Sequence, residues 1–196
     1  MDNKETIIII EGASYLKSEV KWVQRLIILF YKIFNVVPFY AREEEKWIKL
    51  IHNDHCNVVY FEWSGEIWPH VINKTARELA KFLNDVGPVK VISTSLGTQI
   101  SLKALRYTKN ITKIISLSGV YTPVPVSIPF VDIYSASDRF ANFFRGILKL
   151  TTIHGRIKRR EVILHNLRHD QFRDNFEFTD GEFKGFTMSE LLNHFL

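Results

Sequence analysis

Six short apolar runs, most of them separated by stretches of helical length, constrain this chain more than any other feature of it. Thr6–Ile10 (TIIII) closes at Glu11-Gly12, Asn57–Trp63 (NVVYFEW) alternates and closes at Ser64-Gly65, and Val89–Ser93 (VKVIS) runs directly into Thr94-Ser95-Leu96-Gly97. Ile114–Leu117, Phe130–Tyr134 and Glu161–Leu164 complete the set. β-Branched and aromatic runs bounded by turn residues read as strands. Between them, Asn73–Asn84 places Ala76, Leu79, Ala80 and Leu83 on one face, and Leu96–Tyr107 does the same with Ile100, Ala104 and Leu105. Phe140–Leu150 reads as a further helix, and Thr187 with Glu190 forms a capping box ahead of a terminal helix, Met188–Phe195. Strands joined through helices need crossover connections, which make the strands parallel. The expected fold class is therefore α/β, with a mainly parallel central sheet and helices on both faces.

After the first strand the pattern changes. Val20, Val23, Ile27, Phe30 and Phe34 recur at helical spacing, Pro38 breaks the run, and a second helix is expected from Arg42 to Ile51. The segment 14–42 is thus a helical, apolar insertion. As a membrane span it would need about 20 nearly uncharged residues, and the stretch from Val20 to Tyr40 carries Lys21, Gln24, Arg25 and Lys32.

A chain of 196 residues with 46% hydrophobic side chains can bury one substantial core and is short for two, so residues 1–196 are expected to form a single domain. The formal charge of +5 would suit an anionic partner, but the cations are scattered. The densest run is Arg156, Lys158, Arg159 and Arg160, beside His154, which reads as a solvated loop or as a contact for phosphate or a lipid headgroup. No zinc, helix-turn-helix or RNA-recognition signature accompanies it, so no nucleic-acid partner is expected. The one cysteine, Cys56, cannot form an internal disulfide, and the polar opening MDNKET is unlike a signal segment. Both point to a reducing, cytoplasmic setting.

In open α/β sheets, active sites lie at the carboxyl ends of the strands. Three polar residues fall there: Ser95, Asp138 and His169. Ser95 sits in Ser93-Thr94-Ser95-Leu96-Gly97, a small-x-Ser-x-Gly elbow in which a sharp strand-to-helix turn demands small neighbours two residues to either side. A serine hydroxyl needs a base, and the base needs a group that fixes its tautomer and stabilises the imidazolium. His169 and Asp138 suit those roles. His165 is the rival base, with His154 and His70 further off, and Asp138 is equally suited to capping the helix that begins near Phe140. Donors for a tetrahedral oxyanion would be the backbone N–H groups of Leu96 and of Ala13, the latter turned inward by Gly12.

These residues and their order resemble the α/β-hydrolase superfamily, and more narrowly the small bacterial lipases of minimal α/β-hydrolase fold. The resemblance covers the first strand and then roughly residues 57–196. Its most specific parts are Val131-Asp132-Ile133-Tyr134-Ser135-Ala136-Ser137-Asp138, similar to the strand-and-acid segment, and Leu164-His165-Asn166-Leu167-Arg168-His169, similar to the strand-and-histidine segment. It implies hydrolysis of carboxylic esters through an acyl-enzyme, without metal or organic cofactor. The chain departs from the pattern at Glu11, where a His usually precedes the oxyanion Gly, at Ser93, which replaces the elbow Gly, and at Arg168, which replaces the Gly before the histidine. Segment 14–42 is longer than a minimal hydrolase requires. Its Trp22, Leu26, Phe30 and Phe34 form either a lid and acyl-binding surface, with peripheral contact to lipid through Lys21, Arg25 and Lys32, or ordinary core.

Two functional classes follow. The first is a serine esterase or lipase acting on a small-molecule ester or a lipid. The second is a lapsed hydrolase fold that binds a ligand or partner. The oligomeric state is not encoded in any of these features.

Overall fold

The run of isoleucines in Glu5–Ile10 (β1) is apolar on both sides of its pleat because both faces of the strand are covered. Ile7 and Ile9 join one buried cluster with Trp47, Leu50, Leu191 and Leu192. Ile8 and Ile10 join another with Leu79, Leu83 and Ile100. Side chains of period two then have no solvated face, which removes the alternation expected of a half-exposed strand. The computed structural model describes residues 4–12, 44–51, 56–122, 124–150, 160–164, 167, 171–173, 175, 177–179 and 181–196.

Five further strands follow: Cys56–Tyr60 (β2), Val89–Thr94 (β3), Ile111–Leu117 (β4), Phe130–Ser135 (β5) and Arg160–Leu164 (β6). They form one sheet in the order β2-β1-β3-β4-β5-β6. Every neighbouring pair is parallel. The helices are Glu44–Leu50 (α1), Pro69–Val86 (α2), Leu96–Ala104 (α3), Arg139–Leu150 (α4) and Met188–Phe195 (α5). α1 and α5 cover one face of the sheet, while α2 and α3 cover the other. Among the described residues, no helix is long and apolar enough to cross a membrane.

The elements agree with the apolar pattern, and the differences have local causes. β4 starts at Ile111, not Ile114, because a register shift at Val89/Lys90 lets Ile111 pair with Val89. α2 starts four residues before Asn73, with Pro69 in its first turn, where a missing N–H costs nothing. It ends on Gly87 at φ 95°, whose N–H returns to the Leu83 carbonyl. α3 stops at Ala104, three residues short of Tyr107. α5 matches its expected bounds, and both halves of its Thr187/Glu190 capping box form. The insertion 14–42 lies outside the described residues.

Candidate active site

The sheet order changes direction between β1 and β3: the chain goes from β1 to β2 on one side, then crosses back to β3 on the other. At such a switch point the connections diverge to opposite faces and leave a crevice beyond the carboxyl ends of the two strands. Ser95 stands at the end of β3 and Gly12 just beyond the end of β1. The two are in contact, since a Cβ added to Gly12 would lie 2.6 Å from the Ser95 Cβ and 3.1 Å from its Oγ.

Ser95 has φ 48° and ψ −125°, a backbone conformation that side-chain-bearing residues rarely adopt. It costs about 1–3 kcal/mol and persists only where surrounding bonds determine it. Here the Ser95 N–H donates to the Leu117 carbonyl at 3.2 Å, and the Ser95 carbonyl accepts from the N–H groups of Val120 at 2.9 Å and Thr98 at 3.2 Å. The next turn leaves no room either. A Cβ on Gly97 would overlap the Ile10 carbonyl oxygen and come within 2.8 Å of that of Glu11, so glycine alone lets α3 close onto β1. Leu96, the first residue of α3, has an N–H that cannot be satisfied within the helix.

Asp138 follows β5 on the same edge of the sheet and is 2% exposed. Its Oδ1 accepts from the Ala141 N–H at 3.0 Å, which caps the start of α4. Its Oδ2 accepts from the Ser118 hydroxyl. One carboxylate therefore both caps α4 and accepts from the turn after β4. β6 ends at Leu164, in register with Ser135, and the Leu167 N–H donates to the Ser135 Oγ at 3.2 Å. That bond brings Leu167 to the end of β5, three residues before Asp138 in the sequence.

No protein-family model matches the sequence, and no curated protein matches it. Solved structures do. Alpha/beta hydrolase domain-containing protein 10 from mouse superposes with a TM-score of 0.56 at 12% identity, over 89% of this chain and 85% of its own. The esterase domain of a Rhodothermus marinus protein gives 0.52 at 11%, over 86% and 79%. A monoacylglycerol lipase of Paleococcus ferrophilus gives 0.52 at 10%, over 85% and 86%.

The chain has the α/β-hydrolase fold. Within this fold, two of the sequence departures acquire physical explanations. Ser93, in place of the elbow glycine, is fully buried on the α2/α3 face, and its hydroxyl lies 3.1 Å from that of Thr98 in the first turn of α3. Glu11, in place of the histidine, accepts from the Trp47 indole N–H at 2.8 Å and the Tyr60 hydroxyl at 2.5 Å. The Glu11 carbonyl accepts from the Trp63 indole at 2.9 Å. The loop after β1 is thereby tied to α1 and to β2. The Gly12 N–H donates to Thr94 Oγ1 at 3.0 Å, which ties the same loop to β3.

The remaining sequence candidates divide by location. Ala13, His169, Arg168, the rivals His165 and His154, and Trp22, Leu26, Phe30 and Phe34 lie outside the described residues. His70 is exposed in the first turn of α2. Of the basic run only Arg160 is described. It lies 3.5 Å from Glu182 and over the Phe195 ring at 4.9 Å, as an exposed cation does on a solvated face.

Sequence reading missed a buried polar row beneath the elbow. Ser93, Ser116 and Asp132 stand abreast on β3, β4 and β5. All three are fully buried. Thr98 Oγ1 lies 3.2 Å from the Ser116 hydroxyl, which donates to Asp132 Oδ1 at 2.9 Å. Asp132 also accepts from the Tyr121 hydroxyl at 2.7 Å and pairs with Arg145 of α4 at 2.9 Å. The legible signal was an Asp at the centre of an apolar strand, since a buried carboxylate requires a partner.

Proposed function

We propose that the chain is a serine hydrolase that cleaves carboxylic esters, with Ser95 as nucleophile, His169 as general base and Asp138 as the acid that orients it. The observation that carries this reading is the backbone of Ser95. A side-chain-bearing residue held at φ 48° at the switch point of a hydrolase fold, pressed against a glycine that could carry no Cβ, has no packing rationale that a glycine would not serve better.

In this mechanism the Ser95 Oγ attacks the ester carbonyl carbon while His169 takes its proton. The tetrahedral oxyanion is held by the N–H of Leu96, at the positive end of α3, and by that of Ala13. His169 then gives the proton to the departing alkoxide, which leaves an acyl group on Ser95. A water deprotonated by His169 releases the acid. The bond from Leu167 to Ser135 supports a base drawn from this stretch of the sequence, in which His165 and His169 each stand two residues from Leu167. The apolar residues Trp22, Leu26, Phe30 and Phe34 would favour apolar acyl groups, as in a lipid ester.

Turnover of nitrophenyl acetate, butyrate and octanoate by the parent protein and by Ser95→Ala, His169→Ala and His165→Ala variants tests this reading. Loss of about 10³-fold or more in kcat is expected for the first two. His165→Ala is expected to stay near the parent. Loss in His165→Ala with retention in His169→Ala would transfer the base role to His165. A folded parent protein without turnover would favour the lapsed, ligand-binding reading.

A further inference from the structure

The turn after β4 touches both halves of the proposed site. Through its backbone it determines the conformation of Ser95, which donates to Leu117 and accepts from Val120. Through the hydroxyl of Ser118 it donates to Asp138. Ser118 is itself at φ 49°, and with Ser95 it makes up the non-glycine residues with positive φ among those described. It is 1% exposed, and its N–H donates to the Ile133 carbonyl at 2.8 Å. A relaxed backbone at this point would aim the hydroxyl elsewhere, so the strain and the bond to the acid belong together.

The turn is clamped from below. Arg145 Nε donates to the Gly119 carbonyl at 2.6 Å, and its terminal nitrogen meets Asp132 at 2.9 Å. The guanidinium stacks over the Tyr134 ring at 4.4 Å. Asp132 in turn holds Tyr121, two residues past Gly119. Gly119 has no freedom to move inward, because a Cβ there would overlap the Ser116 hydroxyl and lie 2.7 Å from that of Thr98. A planar guanidinium with donors in fixed directions suits this work, whereas an ammonium would hold one partner at a time.

We infer that Ser118 is a positioning residue that orients the Asp138 carboxylate, and that Arg145 and Asp132 hold the turn that presents it. The inference rests on the proposed function and adds residues to its site. Ser118 acts through Asp138, and Asp138 through the histidine.

The test compares Ser118→Gly, Ser118→Ala and Arg145→Lys with the parent protein. The glycine variant removes the hydroxyl and relieves the positive φ, so its thermal midpoint is expected within about 4 °C of the parent's, a shift equivalent to roughly one hydrogen bond in a chain of this size. Its kcat for nitrophenyl butyrate is expected to fall about 10- to 100-fold with KM within about twofold, as loss of a bond to a charged group acting on the base requires. The rate of fluorophosphonate addition to Ser95 should fall in parallel. Ser118→Ala should lose the same activity and also melt earlier. Arg145→Lys should lose about threefold or more in kcat with KM unchanged. An unchanged kcat in Ser118→Gly, or a rise in KM in place of a fall in kcat, overturns the inference and leaves the proposed function standing. No adduct on Ser95 of the parent protein overturns the proposed function and this inference with it.

Discussion

At the carboxyl half of the sheet, neighbouring residues of the same strands lead to two different interiors. On the α1/α5 face, Ile92, Ile115, Leu117, Val131 and Ile133 pack into an apolar cluster. On the α2/α3 face, one residue along each strand, Ser93, Ser116 and Asp132 form a hydrogen-bonded row that continues into Thr98, Tyr121 and Arg145. Apolar contacts are non-directional and hold the layers together. A satisfied polar row fixes orientation, and it penalises every arrangement that leaves a member unpaired. The row lies under the elbow and under the turn that reaches Asp138, where orientation matters most.

The sharpest way to break this contrast is Asp132→Ala. It removes the carboxylate that pairs with an Arg145 guanidinium only 12% exposed and that accepts from the buried Ser116 and Tyr121 hydroxyls. A loss of about 3–5 kcal/mol is expected from the urea midpoint, accompanied by lower activity in the fraction that remains folded. Ile133→Ala, the adjacent residue on the other face, should cost about 2–4 kcal/mol by cavity formation. Its kcat per folded molecule should stay at the parent value, because the aliphatic side chain takes no part in the site's hydrogen bonding and the bond from the Ser118 N–H to the backbone carbonyl of residue 133 is kept. If both variants lost activity alike, the two faces would not differ in role. Gly97→Ala comes next, at about 1–3 kcal/mol, since the added methyl group must displace the end of β1. Ser93→Ala removes one buried bond, to Thr98, and should cost about 1 kcal/mol.

The smallest effect is expected far from the site, at the cap of α5. Bonds from the Thr187 N–H and hydroxyl hold the Glu190 carboxyl below the ordinary glutamate range. A depressed folded-state value means that this contribution is complete above the unfolded glutamate range and is lost as pH falls through the depressed one. Glu190→Gln should therefore flatten a slight acid-side slope in the stability–pH curve, read from thermal midpoints between neutral and acidic pH.

Much of the architecture was legible because it depends on local pattern. Val89–Ser93 and Phe130–Tyr134 were bounded by turn residues, and their observed ends differ by one residue. The sharp turn at Ser95 was legible because its requirement for small neighbours spans only five positions. Glu11 and Ser93 registered merely as departures, since their partners Trp47, Tyr60 and Thr98 come from other elements. Ser118 gave no signal at all. Nothing in Ser118-Gly119 marks a serine at positive φ, and its partner is 20 residues away. Asp132 read as part of an apolar strand and Arg145 as part of a helix surface, because only the sheet register brings them together.

The most direct test of the account is to treat the protein with a fluorophosphonate and find the modified residue by mass spectrometry. The account predicts a single stoichiometric adduct on Ser95, absent from Ser95→Ala and much slower to form in His169→Ala. An unmodified Ser95 in a folded protein, or an adduct at another serine, would contradict it.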